Sequence, residues 1–164
     1  MDVQQKLVWR RHDLARVSVF GSDQIFLDLF QLAEDGITGR GTLLVTHEHC
    51  AGHFKDGPLL FPGHLMLEAA VQTAYFLNVA FLPEDKRTGL APLFAGVGGM
   101  TLHLPVFPRD TIVFEVTPSS RYIVDCCIFR GSDMVAQVMQ IRGAVFPRRV
   151  VERLLSRQSS SAIR

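Results

Sequence analysis

The sequence contains little charge and no excess of either sign. Charged residues make up 20% of the 164 residues, and the formal net charge is +1. A nucleic-acid-binding domain needs a basic surface that neutralises phosphates, so this balance argues against that class of protein. The hydrophobic fraction, 48%, is high for a chain that has room for one core and not for two domains. We therefore predict a single domain, residues 1–157, that hides part of its surface by self-association.

Targeting, disulfide and membrane signals are also lacking. Residues 1–20, which we interpret as an N-terminal extension of the domain, contain no apolar core of about 7 to 15 residues, so we expect a cytoplasmic protein and not a secreted one. The three cysteines are an odd number, which argues against a disulfide framework. The most apolar segment, Leu59 to Leu82, is interrupted by polar residues, which favours a buried helix over a membrane span. Residues 158–164 are predicted to be a flexible tail.

The common motifs for nucleotides and metals are missing. The chain has no G-x-S-x-G elbow, no phosphate-binding G-x-x-x-x-G-K-[ST] and no dinucleotide G-x-G-x-x-G. The run HEHCAGH, His47 to His53, is rich in possible ligands. On a strand, however, alternate side chains would point to opposite faces, and no second ligand cluster follows downstream. We therefore expect neither a metal site nor a nucleotide cofactor.

Hydrophobic patterning predicts a hairpin, one central helix and a meander. The predicted elements are strands Gln24 to Leu32 and Ile37 to His47, a loop Glu48 to Pro62, a helix His64 to Phe81, an irregular link to Pro92, strands Gly96 to Val106, Thr111 to Thr117, Arg121 to Arg130 and Met134 to Phe146, and a short helix Val150 to Leu155. The helix is apolar on nearly every side. The simplest architecture is an α+β fold in which a curved antiparallel sheet wraps around one long central helix.

A carboxylate interrupts this apolar helix. Glu68 follows Leu67 and precedes two alanines, and burying a charge there costs several kcal/mol unless the group is paired or hydrogen-bonded. Gln72 lies one turn further on the same face, where it could hydrogen-bond Glu68 and fix its orientation. The pattern is consistent both with a satisfied structural carboxylate and with a functional one.

A histidine in the preceding loop is the second unusual residue. His53 lies between Gly52 and Phe54, in a loop that leads directly to Pro62 and Gly63 at the start of the helix. Backbone N–H groups and the positive end of the helix dipole can stabilise an oxyanion at such a position. Alone, a histidine of this kind is more often structural. With Glu68, it would bring a base, an acid and an oxyanion site close together.

These motifs together resemble the signature of the 3-hydroxyacyl-[acyl-carrier-protein] dehydratases of the FabZ/FabA type. The matching residues are Gly52-His53-Phe54, Pro58, Phe61-Pro62-Gly63, Leu67-Glu68-Ala69-Ala70 and Gln72. The resemblance implies the hot-dog fold and a homodimer with composite active sites, in which His53 of one chain works with the partner's Glu68. Whether such dimers assemble further into hexamers is left open.

The resemblance also implies the reaction, which is removal of water from a 3-hydroxyacyl thioester to give the trans-2-enoyl thioester. His53 would be the base for the C2 proton, Glu68 the acid for the leaving hydroxyl, and Gly63 and His64 the oxyanion site at the thioester carbonyl. The supporting residues would be Gly52, Phe54, Pro62 and Gln72.

The substrate would arrive on the phosphopantetheine of an acyl carrier protein, and no cofactor would be needed. Its acyl chain would enter a tunnel for which Leu67, Phe94 and Phe107 are candidate lining residues. The loop from His53 to Glu68 is one residue longer than is usual in the family, and Lys55-Asp56 stands where a proline is customary. The pathway, fatty-acid or polyketide biosynthesis, is left open, as are two alternative functions, a hot-dog acyl thioesterase and a non-catalytic acyl-binding subunit.

Overall fold

The computed structural model of the protein describes residues 7–18, 20–52, 57–120 and 122–153. The strands in these ranges are β1 (Val8–Arg10), β2 (Leu29–Leu32), β3 (Gly39–Leu44), β4 (Leu90–Gly96), β5 (Gly99–Leu102), β6 (Thr111–Ser120), β7 (Ile123–Arg130) and β8 (Asp133–Pro147). The α-helices are α1 (Arg11–Val17), α2 (His47–Cys50) and α3 (Gly63–Ala80). Residues 148–153 are also helical, whereas the remainder of the predicted C-terminal helix and the predicted tail lie outside the described residues.

The strands form one antiparallel sheet in the order β1-β2-β3-β6-β7-β8-β4, and β5 also pairs with β8. β8 is long enough for both β4 and β5 to pair along its outer side. The register shifts between Phe94 and Gly96, so the chain bends where it passes from β4 to β5. An irregularity of this kind is typical of glycine in a strand, and Gly98 and Gly99 follow Gly96 closely.

Close packing of the central helix on the sheet depends on two glycines in β3. Alternate residues of β3 are buried, and the buried set includes Gly39 and Gly41. A Cβ at Gly39 would lie 3.2 Å from Leu77 Cβ, and a Cβ at Gly41 would meet the Thr73 side chain. Both contacts lie on α3. The predicted curved antiparallel sheet around one long helix is therefore confirmed, and its core contains large buried side chains from sheet and helix, among them Phe30, Phe76 and Phe114.

The central helix has one face that the described part of the chain does not fully cover. It begins at Gly63 and ends at Ala80, within one residue of the predicted bounds at each end. His64 is exposed, and Leu67, Glu68, Val71 and Asn78 are half-buried. Spacings of three, four and seven residues place these side chains along one stripe of the helix. No helix among the described residues has the length and hydropathy needed to cross a bilayer.

The segment predicted to be an N-terminal extension packs onto the core over residues 7–18. β1 adds to the edge of the sheet beside β2, and Leu14 of α1 is fully buried. The Trp9 ring packs on Phe30 with 5.6 Å between centroids. The Tyr75 hydroxyl of α3 donates to the backbone oxygen of Val17 at 3.2 Å, and burial raises the pKa of Tyr75 to about 12.

The hairpin turn between β2 and β3 lies where the sequence predicted it. The Asp35 carboxylate accepts a hydrogen bond from the Thr38 hydroxyl at 2.6 Å and further bonds from the backbone N–H groups of Thr38 and Ile37. These bonds favour the ionised form and lower the pKa of Asp35 to about 2. All of these bonds join residues within one Asx-type turn. The position of the turn could therefore be predicted from its own residues.

The predicted irregular link to Pro92 extends too far, because its last residues already belong to a strand. Residues 90–96 form β4, which pairs with β8. A proline within a run normally argues against a strand, but β4 is an edge strand, where one missing N–H donor is tolerated. The strand predicted from Gly96 to Val106 is correspondingly short and covers only Gly99 to Leu102.

Candidate active site

Gln72 holds the carboxylate of Glu68 in place. Gln72 is 1% exposed, and its Nε2 donates to Glu68 Oε1 at 3.0 Å and to the backbone oxygen of Gln24 at 2.8 Å. Its Oε1 accepts from the backbone N–H of Phe26 at 3.0 Å. The predicted hydrogen bond between Gln72 and Glu68 is thereby confirmed. What the sequence did not indicate is that the same amide also ties the helix to the segment before β2.

The start of α3 lies close to this carboxylate. Pro62 is the N-cap residue, and its backbone oxygen accepts from the N–H groups of Leu65 and Met66. Gly63 and His64 are therefore the first two residues of the helix, at the positive end of its dipole. His64 and Glu68 are four residues apart and share a face. Gly63 and Glu68 are five residues apart, which is a rise of roughly 7.5 Å along the helix axis. A small bound molecule is therefore long enough to contact both the helix start and the carboxylate.

The loop that carries His53 is described only at its two ends. At the first end, α2 is followed by Gly52, which is exposed and has φ of 77°, a left-handed conformation that favours glycine. At the second end, the backbone N–H of Phe61 donates to the Val106 oxygen at 2.8 Å. His53 and Phe54 themselves lie outside the described residues. Their predicted roles therefore remain predictions.

Residues 47–50 form a helical turn, whereas the sequence predicted a strand through His47 and the first part of HEHCAGH. Thr46 caps the turn, because its hydroxyl accepts from the His49 N–H at 3.3 Å while His49 Nδ1 accepts from the Thr46 N–H at 3.1 Å. Among the described residues, no group of three or more His, Cys, Asp or Glu side chains could hold a metal ion.

His49 also borders this site, although in the sequence it stood out only as one of the possible metal ligands in the HEHCAGH run. Its ring lies between Phe26 and Phe61, with 6.0 Å between centroids on each side. Burial lowers the pKa of His49, and the positive charge of Arg11 lowers it further, against the opposing effect of Asp28 and Glu48. The available signal was the Thr46-x-x-His49 spacing at a helix start, which is the spacing of a capping pair.

A small apolar groove lies along α3 beyond this site. On the helix it is lined by Val71, Ala74, Tyr75 and Asn78, and opposite by residues of β4, β7 and β8. Val71 is three residues beyond Glu68, so the groove begins about one turn from the carboxylate. Of the three candidate tunnel residues, Phe94 lines this groove, and Leu67 and Phe107 are not among its lining residues.

The sequence model of the FabA-like domain matches residues 32–145, which is more than half of the chain. The chain belongs to the FabA-like family. The matched range contains α3 with Glu68 and Gln72, and it ends within β8.

Curated relatives agree with this membership. The chain is 35% identical over 94 residues to the 3-hydroxyacyl-[acyl-carrier-protein] dehydratase FabZ of Roseiflexus sp. (strain RS-1), covering 56% of this chain and 63% of the relative. It is 40% identical over 65 residues to the enzyme of the same name from Symbiobacterium thermophilum, covering 40% of this chain and 43% of the relative. The chain thus spans less than two thirds of the length of these FabZ relatives.

Solved structures show the fold of this FabA-like protein. The fluoroacetyl-CoA thioesterase FlK superposes with a TM-score of 0.58 at 11% identity, covering 73% of this chain and 93% of that one. The dehydratase heterocomplex ApeI:P from Xenorhabdus doucetiae gives a TM-score of 0.50 at 13% identity, covering 66% and 88%. The predicted hot-dog fold is confirmed.

Replacing Gln72 with leucine is expected to destabilise the protein by about 1–3 kcal/mol, because the Phe26 N–H and the Gln24 oxygen would lose a buried partner. Urea unfolding followed by circular dichroism measures the loss. Asn78→Ala is the matched control, since Asn78 is a half-buried amide on the same helix, and the one bond of its Nδ2 within the described ranges goes to the Ala74 oxygen. An equal loss in the two variants would contradict a special role for Gln72.

Proposed function

We propose that this protein removes water from a 3-hydroxyacyl thioester carried on the phosphopantetheine of an acyl carrier protein, giving the trans-2-enoyl thioester. The observation that carries the proposal is the Glu68 carboxylate, held by Gln72 about one and a half turns from the Pro62-Gly63 helix start, in a chain of the FabA-like family. The curated relatives are named as dehydratases of this substrate class, which supports the same assignment.

The proposed chemistry assigns one step to each group. His53 takes the C2 proton, the electron pair left on C2 forms the C2–C3 double bond, and the C3–O bond breaks as Glu68 gives its proton to the leaving hydroxyl. The backbone N–H groups of Gly63 and His64 stabilise the charge that develops on the thioester oxygen. Water and the enoyl thioester are the products, and no resident cofactor takes part.

The half-buried stripe of α3 and the adjoining groove suit an acyl thioester. Glu68 lies on this stripe, and the groove that begins near Val71 is lined mainly by apolar side chains. An alkyl chain bound there would extend away from the carboxylate along the helix. Apolar lining with few polar groups is typical of sites that bind lipid-like ligands.

The proposal includes a homodimer formed along the β4–β5 edge. In the described part of the chain, β4 and β5 pair only with β8, so their outer edge is open. Large apolar side chains near this edge are exposed, namely Phe94, Leu102, Leu104 and Phe107, and an open apolar edge favours pairing with another chain. Leu102 also lies against the helix start, with its Cδ1 3.3 Å from the position of a Cβ on Gly63. A second copy on this edge would therefore lie beside the site and could supply His53 to it.

Mass spectrometry of the carrier-bound product tests the reaction. With a 3-hydroxyacyl carrier protein as substrate, we expect loss of one water from the intact thioester, and with the 2-enoyl thioester we expect the reverse addition. Release of free acid without interconversion of the two thioesters would contradict the proposal and favour the acyl thioesterase. Unchanged thioesters, with the acylated carrier retained on the protein, would favour the non-catalytic acyl-binding subunit.

A further inference from the structure

The His49 ring occupies the space between two segments that border the carboxylate site. It contacts the ring of Phe26, which precedes β2, and the ring of Phe61, which precedes α3. The two phenylalanines are far apart in sequence, and among the described residues His49 contacts both of their rings. Its removal would leave a gap between these two segments.

Each of these segments is connected to the proposed machinery. The Phe26 N–H donates to Gln72 Oε1, and Gln72 in turn donates to Glu68. The Phe61 N–H donates to the Val106 oxygen, and Phe61 is followed directly by Pro62 and Gly63 at the helix start. One side of His49 therefore supports the carboxylate, and the other side supports the helix terminus.

The hydrogen bonding of His49 defines its protonation state. Because Nδ1 accepts from the Thr46 N–H at 3.1 Å, Nδ1 carries no proton, and the neutral ring has its proton on Nε2. A second proton would have to go to Nδ1, where it would face the Thr46 N–H and eliminate this bond. The imidazolium form is thus incompatible with the observed cap of α2.

We propose that neutral His49 is a positioning residue that holds Phe26 and Phe61 around the Glu68 site, and that protonation of His49 on Nδ1 releases both segments. The structural part of this proposal is independent of the reaction. Its consequence for catalysis rests on the proposed dehydratase function.

The charges around His49 give the direction of the pH effect. Arg11 of α1, which donates to the Phe26 oxygen and to Asp28, disfavours a second positive charge, while Asp28 and Glu48 favour it. Burial is the largest effect and lowers the pKa. Because the folded pKa lies below the unfolded value of about 6.5, the unfolded state binds the proton more readily. The stabilisation is complete above that value and is lost as the pH falls below it.

Amide hydrogen exchange of Phe26 and Phe61 tests the structural part, with protection factors measured between neutral pH and pH 5. In the wild type, we expect both protection factors to fall several-fold on acidification. In His49→Phe, which keeps the ring and cannot titrate, the factors should stay near the neutral wild-type value at every pH. His49→Asn supplies an acceptor in place of Nδ1 but no ring, and it should show lowered, pH-independent protection.

His47→Phe is the matched control, because His47 is an exposed histidine on the same helical turn. It should retain the pH dependence of the wild type. The proposal is overturned if acidification leaves wild-type protection unchanged, or if the loss of protection persists in His49→Phe.

The pH profile of kcat/KM tests the catalytic consequence. The acid limb should steepen to a two-proton dependence in the wild type, because His53 and His49 must both be neutral, and it should show a one-proton dependence in His49→Phe. An acid limb of equal steepness in both proteins would overturn this part. A wild type without dehydratase activity would contradict the proposed function alone, since the exchange experiment still decides the role of His49.

Discussion

Glu68→Gln is expected to lower kcat/KM for dehydration by about 10²- to 10⁴-fold, the usual contribution of a general acid. The variant keeps the length of the side chain and an oxygen that can accept from Gln72 Nε2, so the fold should persist. An amide has no proton of suitable acidity to give to the leaving hydroxyl. Steady-state kinetics with a 3-hydroxyacyl carrier protein measures the change, and an unchanged thermal unfolding midpoint is the control for folding.

His53→Ala is expected to cause a loss of the same order, since it removes the base for the C2 proton. Full activity in both variants would show that His53 and Glu68 are not the reacting groups. Loss in the Glu68 variant alone would retain the carboxylate and require a different base.

Mixing the two inactive variants tests whether the site is shared between chains. After random exchange of subunits, half of the dimers contain one chain of each kind, and each mixed dimer has one site with both native residues. Recovery of about a quarter of the wild-type activity is therefore expected for a composite site. No recovery in demonstrably mixed dimers would place both residues in the same chain.

Gly41→Ala is expected to destabilise the protein by about 1–3 kcal/mol, the usual cost of overpacking a core. The added Cβ would meet the Thr73 Oγ1 and would lie 3.0 Å from Thr73 Cγ2 and 3.1 Å from Leu27 Cδ1. Both neighbours are buried, so α3 would have to move away from β3. Chemical denaturation measures the loss of unfolding free energy.

Thr73→Ala provides the test of this mechanism, because it removes both atoms of the Thr73 side chain that the new Cβ would meet. The double variant Gly41→Ala/Thr73→Ala should lose less stability than the sum of the two single losses, since the residues are in contact. Additive losses would show that the steric conflict with Thr73 is not the cause.

The elements that were predictable have local signals. The turn at Asp35 depends on bonds within four residues, and the helix beginning at Gly63 depends on a continuous apolar run after Pro62. The hydrogen bond from Gln72 to Glu68 followed from helical spacing alone. Of the predicted meander, β6, β7 and β8 do pair in chain order, and the turn between β7 and β8 begins at Gly131. The strand predicted to end at Thr117 continues to Ser120, and β5 pairs with β8 and not with β6, so the sequence located the strands better than their ends and partners.

The elements that were not predictable depend on distant partners. β4 contains Pro92, which has no backbone N–H to donate. It is nevertheless a strand because it pairs with β8 at the edge of the sheet, where one missing N–H donor is tolerated. α1 and β1 are short, and they are ordered by burial of Trp9 and Leu14 against the core. Short helices gain most of their stability from such tertiary packing.

The sequence by itself determined the central helix, its carboxylate and the amide that orients it, because a period of 3.6 residues fixes which side chains are neighbours on a helix. Only the tertiary structure decided what surrounds that carboxylate. Gln72 reaches Gln24 and Phe26, and His49 contacts Phe26 and Phe61, across long stretches of sequence. Contacts of this kind arise when the sheet closes around the helix, and no periodicity along the chain records which residues will then meet.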